Sequence, residues 1–351
     1  MPMVNDKMTK KPEILLIYTG GTIGMIKDYA TNALRSFDFN HLHDNIPELY
    51  QLNCIIETVS FEEPIDSSNM NIKYWVKIVK IIEEYYDKKD GFVVLTGSDT
   101  MSYASSAISF MIENLGKPII FTGSQLPIGD LRTDAKENLI TAIQIASAKN
   151  EDDLPMVTEV GLYFEYKLYR ANRTTKVNAE QFEAFMSPNY PPIAESGVHL
   201  RFNKERLLKF DKSKKIIFRK KLDDNIVILK LFPSITKQVV QSILDIPGLK
   251  GVVLETYGSG NAPNDKWFIN LLKKALLKGV FIVDVTQCIG GSVILGQYET
   301  SVQLQKIGLI EGKDITTESA IVKMMYMLGA DIPKKEFKSI FEKSLRGEMT
   351  Q

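Results

Sequence analysis

Ile14-Leu15-Leu16-Ile17-Tyr18-Thr19-Gly20-Gly21-Thr22-Ile23-Gly24 decides how this chain is read, because an apolar run of strand length breaks into a glycine turn that carries hydroxyls. The pattern recurs at Phe92-Val93-Val94-Leu95-Thr96-Gly97-Ser98-Asp99-Thr100, and again where Ile119 to Phe121 runs into Thr122-Gly123-Ser124-Gln125. Helical patterns fall between and after these runs. Asn71 to Tyr86 puts Ile72, Trp75, Val76, Val79 and Ile82 on one face, and Asp134 to Ala148 does so with Leu139, Ala142, Ile143 and Ala146. Strand alternating with helix predicts an α/β, three-layer fold with a mainly parallel sheet covered on both faces. The polar turns then meet at the carboxyl edge of that sheet, where open α/β folds place their ligands.

Pro188, Pro191 and Pro192 interrupt the rhythm, and a lysine-rich stretch from Arg201 to Lys221 has weak periodicity. Strands are expected again at Asn225 to Phe232, Gly251 to Thr256 and Val280 to Val285. Helices are expected at Asp265 to Leu277, Thr316 to Leu328 and Lys334 to Leu345. A chain of 351 residues exceeds the size at which a single core stops growing. The expected division is a larger first domain over residues 1–200, a linker region over 201–221, and a smaller Rossmann-like α/β domain over 222–351.

Lysine plus arginine balances aspartate plus glutamate at 43 each, so nothing in the charge calls for nucleic acid or an anionic membrane as partner. A small molecule fits better. Cys54 and Cys288 are too few for a disulfide framework, and Ile14 to Tyr18 is too short for a signal core or a membrane span, so a reduced, cytoplasmic protein is expected. His41, His43 and His199 lie outside the glycine turns, and no cysteine or histidine cluster has metal-ligand spacing.

Each motif also has a plain structural reading. Thr22, Asp99 and Thr100 suit helix caps, and Asp66-Ser67-Ser68-Asn69-Met70 suits a cap ahead of the Asn71 helix. Phosphate cradling competes too, yet the glycine spacing is neither G-x-G-x-x-G nor the lysine-bearing P-loop pattern. What distinguishes these turns is their joint offer of two hydroxyls and carboxylates to one pocket.

Taken together, Tyr18 to Met25, Asp66-Ser67-Ser68, Asp90 to Met101, Thr122-Gly123-Ser124-Gln125, Asn172-Arg173-Thr174-Thr175-Lys176 and Tyr257 to Pro263 resemble the bacterial type I, cytoplasmic L-asparaginases. The resemblance covers essentially the whole chain. It implies hydrolysis of L-asparagine to L-aspartate and ammonia without a cofactor, in a homodimer or a homotetramer built as a dimer of dimers. Thr22 matches the family's primary nucleophile. Ser98 and Asp99 match a threonine-aspartate pair that Lys176 completes as a second triad, while Asp66 and Ser67 match the loop that holds the substrate's α-groups. Asp99 also faces the α-ammonium, Ser124 joins the substrate pocket, and Asn261 matches a residue lent by a neighbouring subunit.

Elementary chemistry asks for the same parts. A hydroxyl needs a base and a place for the oxyanion, which backbone N–H groups of glycine turns supply. An amine serves as base only when neutral, a form that burial favours and a nearby carboxylate opposes.

The departures are specific. Where the family usually has His-Gly-Thr-Asp-Thr, this chain has Thr96-Gly97-Ser98-Asp99-Thr100, so the second hydroxyl lacks its methyl group. Many relatives carry an activating tyrosine farther beyond the nucleophile than Tyr29, and Ala33 stands at the better-aligned position. Some type I enzymes have an effector site for asparagine; Thr175 and Cys288 resemble parts of it, but Glu255 stands where an arginine is found. Rival readings are a broad-specificity glutaminase-asparaginase, a non-catalytic amino-acid sensor, and an amidotransferase component, which normally carries an extra domain where only Met1 to Pro12 precede the first strand here.

Overall fold

The computed structural model describes residues 10–27, 34–36, 46–297, 299–330 and 332–351. Tyr29, Ala33, His41 and His43 lie outside them. Two sheets organise the chain. The larger has eight strands, in the order Arg201–Phe202, Ala194–Glu195, Lys167–Arg170, Val160–Phe164, Ile119–Thr122, Gly91–Leu95, Glu13–Gly20 and Ile55–Ile65. From Val160–Phe164 to Ile55–Ile65 every pairing is parallel, and the three remaining strands run antiparallel. The smaller sheet is four parallel strands, Ile226–Lys230, Gly251–Thr256, Phe281–Thr286 and Ile310–Glu311.

Glu13–Gly20 lies between Ile55–Ile65 on one side and Gly91–Leu95 on the other, so the strand order reverses at its end. That end is the Gly20-Gly21-Thr22 turn. A switch point of this kind leaves a crevice beyond the carboxyl ends of the strands.

Burial on both faces explains the sequence pattern. Ile14, Leu15, Leu16 and Ile17 are all inaccessible, as are Phe92 to Leu95 and Ile119 to Phe121, so the middles of the central strands are continuous apolar runs rather than alternating ones. The helix Ile72–Tyr85 buries Trp75, Ile78, Val79 and Ile82, and Ala135–Ser147 buries Leu139, Ala142, Ile143 and Ala146. Asn71 caps the first by accepting from the Lys73 N–H, which takes that role away from the Asp66 loop.

Three features were silent in the sequence. The hairpin between Val160–Phe164 and Lys167–Arg170 turns on Glu165 and Tyr166, both with positive φ (43° and 68°), without the glycine or asparagine such turns favour. The lysine-rich stretch pairs twice with the first domain, Arg201–Phe202 against Ala194–Glu195 and Ile217–Phe218 against Ile112–Glu113. Two-residue strands carry no readable period. The helix expected from Lys334 to Leu345 ends at Phe341, and the chain beyond it folds back as an irregular tail.

One apolar cluster spans both sheets, joining Phe92 and Phe110 to Val253 and Tyr326, while each sheet also has a cluster of its own. Met101–Met111 packs against Thr317–Gly329, with the Phe110 and Tyr326 rings stacked at 6.0 Å, and the Tyr326 hydroxyl donates to Glu113 at 2.7 Å. No described helix is long and apolar enough to cross a membrane.

Candidate active site

The glycines bring the turns together. A Cβ on Gly21 would lie 2.3 Å from the Gly97 nitrogen, one on Gly97 would lie 2.5 Å from the Ser67 Oγ, and one on Gly123 would lie 2.5 Å from the Thr96 carbonyl oxygen. No side chain fits at any of these contacts. Thr22 and Ser98 each follow one of the two touching glycines, so their turns and Ser67 lie against one another. Further bonds fix the approach: the Thr19 hydroxyl donates to the Leu95 carbonyl at 3.0 Å, and that of Thr100 to the Ser67 carbonyl at 2.8 Å. Thr100 occupies the cap position of Met101–Met111 but makes no capping bond. Its hydroxyl instead ties two turns together.

Thr22 is half-buried and opens a single 3-10 turn, Thr22–Gly24, closed by Gly24 N–H to the Gly21 carbonyl at 3.2 Å. Beneath the turn, the buried Tyr18 hydroxyl donates to the Gly24 carbonyl at 3.3 Å. Burial pushes its pKa up to about 12, so this phenol remains a donor at neutral pH.

Lys176 reaches the cluster from the strand Thr175–Lys176. Its Nζ donates to the Ser98 Oγ at 2.8 Å and to the Asp99 Oδ1 at 2.6 Å. Ser98 donates onward to the Gln125 Oε1 at 3.2 Å. The orientation of that amide is set by its Nε2, which donates to the carbonyls of Ala179 and Gln181 at 3.1 and 3.0 Å. The Asp99 side chain is 68% exposed and that of Lys176 only 17%. An ion pair so wet on one side contributes about 0 to 1 kcal/mol, too little to explain its presence as a stabilising device. It serves better to aim the ammonium at Ser98.

The turn Thr122-Gly123-Ser124-Gln125 contributes differently from expectation. Ser124 is buried and its hydroxyl donates to the Leu126 carbonyl at 2.6 Å, so Gln125 is the residue of this turn that meets Ser98. Asp134 supports the turn by accepting the Gln125 and Leu126 N–H groups. Only tertiary contact singles out Gln125, since its bonds run to residues more than fifty positions later.

Asp66 is exposed and Ser67 is buried. The backbone N–H of Ser68, and then its hydroxyl, donate to the Asp66 carboxylate and hold its pKa below the usual range. It therefore stays charged, as a group that meets an ammonium must.

Asn261 belongs to the second domain, in a turn where Asn261 and Tyr257 exchange backbone bonds at 2.8 and 2.9 Å. Beside this turn lies Asp284, wholly buried, accepting the Thr256 hydroxyl at 2.7 Å on one oxygen and nothing on the other. Burial, reinforced by Glu311, raises its pKa to about 7. The folded state thus holds a proton on Asp284 that the unfolded state has released, and the contribution of this group to stability falls as pH rises from about 4 to about 7. Denaturant titrations of wild type and Asp284→Asn should show the difference between them changing over this pH range, as the contribution of Asp284 is lost.

A cleft of about 530 Å³ adjoins Lys176, with Thr175, Cys288, Glu255 and Glu318 in its wall. Glu318 accepts the Thr175 hydroxyl at 2.5 Å; Glu255 accepts that of Thr317 at 2.7 Å and pairs with Lys230 at 3.1 Å. Glu255 stands at the position the resemblance gives to an arginine, and the wall's cations are Lys176 and Lys230. Among the described residues, no group of three histidine, cysteine, aspartate or glutamate side chains could hold a metal ion.

Residues 13–208 match the family model described as Asparaginase, N-terminal, and residues 225–341 match the Glutaminase/Asparaginase C-terminal domain. The chain belongs to the asparaginase family. It is 38% identical to L-asparaginase 1 of Escherichia coli K12, over 97% of this chain and 99% of that one. The crystal structure of L-asparaginase I from Vibrio cholerae superposes with a TM-score of 0.88 at 36% identity, covering 97% of this asparaginase-family chain and all of the other. The thermostable L-asparaginase from Thermococcus kodakarensis superposes with a TM-score of 0.87 at 29% identity, covering 97% of this chain and 99% of that one.

Proposed function

We propose that this protein hydrolyses L-asparagine to L-aspartate and ammonia through a covalent ester on Thr22. The observation that supports the reading is the Lys176 ammonium, held at 2.8 Å from Ser98 and 2.6 Å from Asp99, in a turn whose Gly97 packs against the glycine that precedes Thr22 and against Ser67. Asp66, Ser67 and Asp99 hold the substrate's α-ammonium and α-carboxylate. The Thr22 oxygen attacks the side-chain amide carbon, its proton leaves through the Ser98–Lys176 relay, and the oxyanion forms against backbone N–H groups of the glycine turns. Ammonia departs with that proton. Water then opens the ester by the same relay. No cofactor enters any step.

Lys176 now donates to Ser98, so the relay requires that bond to reverse when the amine gives up a proton. A mere amino-acid sensor would need Asp66 and Ser67 but not this relay. Side-by-side ammonia release from L-asparagine and L-glutamine tests the reading; one methylene is worth only about 1 to 3 kcal/mol of discrimination, so some glutamine turnover is compatible with it. No release from either substrate overturns it.

We further propose the division into residues 1–200, 201–221 and 222–351, a cytoplasmic location, and a homodimer or dimer of dimers in which Asn261 completes a neighbour's site. Mixing Thr22→Val subunits with Asn261→Ala subunits should then restore activity, because a hybrid dimer contains one intact shared site. No gain after verified subunit exchange means that each site is built within one chain.

A further inference from the structure

The segment that delivers Lys176 is clamped from behind by the end of the chain. Arg170, Asn172 and Arg173 precede Lys176 and are each at most 5% exposed. The Arg173 guanidinium donates Nη1 to the Asp314 Oδ2 at 2.7 Å and Nε to the Gly347 carbonyl at 2.6 Å. Asn172 donates to the Arg346 carbonyl at 3.0 Å, and Arg170 to that of Gly347 at 3.3 Å. Asp314 also accepts the backbone N–H and the hydroxyl of Thr350, at 2.7 and 2.6 Å. The bend of the tail is set by Glu348, which accepts the Leu345 and Arg346 N–H groups and pairs with Lys323, both charges fully buried.

Buried ion pairs gain little net stability against an apolar alternative, since desolvation offsets most of the attraction. What a hydrogen-bonded guanidinium does supply is fixed geometry. Lys176 lies three residues beyond Arg173, on a strand only two residues long, and must hold its Nζ within hydrogen-bond reach of Ser98. We infer that Arg173, clamped between Asp314 and the Gly347 carbonyl, is a positioning residue for Lys176, and that residues 346–350 act on the site through it. The inference rests on the reading of Lys176 as part of the relay.

Arg173→Lys keeps a charge opposite Asp314 but loses the fork that reaches Gly347. Its kcat on L-asparagine should fall on the order of 10- to 100-fold at unchanged circular dichroism, with KM within about threefold, as expected for a displaced catalytic group. Thr350→Val, a milder change near the end of the chain, should lower kcat by a few-fold in the same direction and carries the test if Arg173→Lys does not fold. In a Lys176→Met background, Arg173→Lys should cost nothing further, because residues that act through one another are not additive. A folded Thr350→Val or Arg173→Lys enzyme with full kcat, or additive losses in the double variant, overturns the inference alone. An active Lys176→Met enzyme overturns the role of Lys176 and the inference with it.

Discussion

Thr22→Val is expected to yield a folded protein that binds L-asparagine and turns it over at least about 10³-fold more slowly, the usual consequence of removing a member of a nucleophilic triad. Valine replaces the hydroxyl with a methyl group at nearly constant volume. The short turn Thr22–Gly24 is closed by backbone bonds, which valine leaves in place. If the residue were only part of a tight turn, valine would change stability slightly and kcat not at all. A folded variant that keeps more than about a tenth of the wild-type kcat removes Thr22 from the nucleophile's role.

Ser98→Ala should be nearly as damaging, on the order of 10² to 10³ in kcat, because it deletes the link between Lys176 and the rest of the cluster. In the folded enzyme the Ser98 oxygen accepts from Lys176 at 2.8 Å while its proton goes to Gln125. Alanine leaves the ammonium with Asp99 alone and strands the Gln125 oxygen. Ser98→Thr keeps the hydroxyl and narrows its χ1 choice, so it should retain or raise kcat. Measuring both variants on L-asparagine separates a relay from a turn: an alanine enzyme within a few-fold of wild type would show that Lys176 works without Ser98.

Particular residues show how far the sequence reads. The strand at Gly251–Thr256 falls where its apolar run places it, and the helix Ile72–Tyr85 begins at the asparagine that precedes its apolar stripe. These elements announce themselves because burial on one or both faces imposes a short-range period. The hairpin at Glu165 and Tyr166 does not, since nothing in those two side chains asks for positive φ; the surrounding strands impose it. The tail after Phe341 was equally silent: its bonds are made by arginines and an aspartate far away along the chain.

The candidate site divides in the same way. Thr22, Ser98, Asp99, Lys176, Asp66 and Ser67 are named in the sequence only because they fall in local strings that resemble the family's motifs. Gln125 and Arg173 could not be assigned a task, and Thr100 read only as a helix cap, because each acts by a hydrogen bond across the fold. By itself the sequence determined the alternation of strands and helices, the places of the glycine turns, and the stock of hydroxyls, carboxylates and amines, since these follow from local periodicity and composition. Tertiary structure alone decided which way Ser124 and Gln125 face and what holds Arg173. A hydrogen bond depends on tenths of an ångström and on direction, and only the packed chain fixes those between residues distant in sequence.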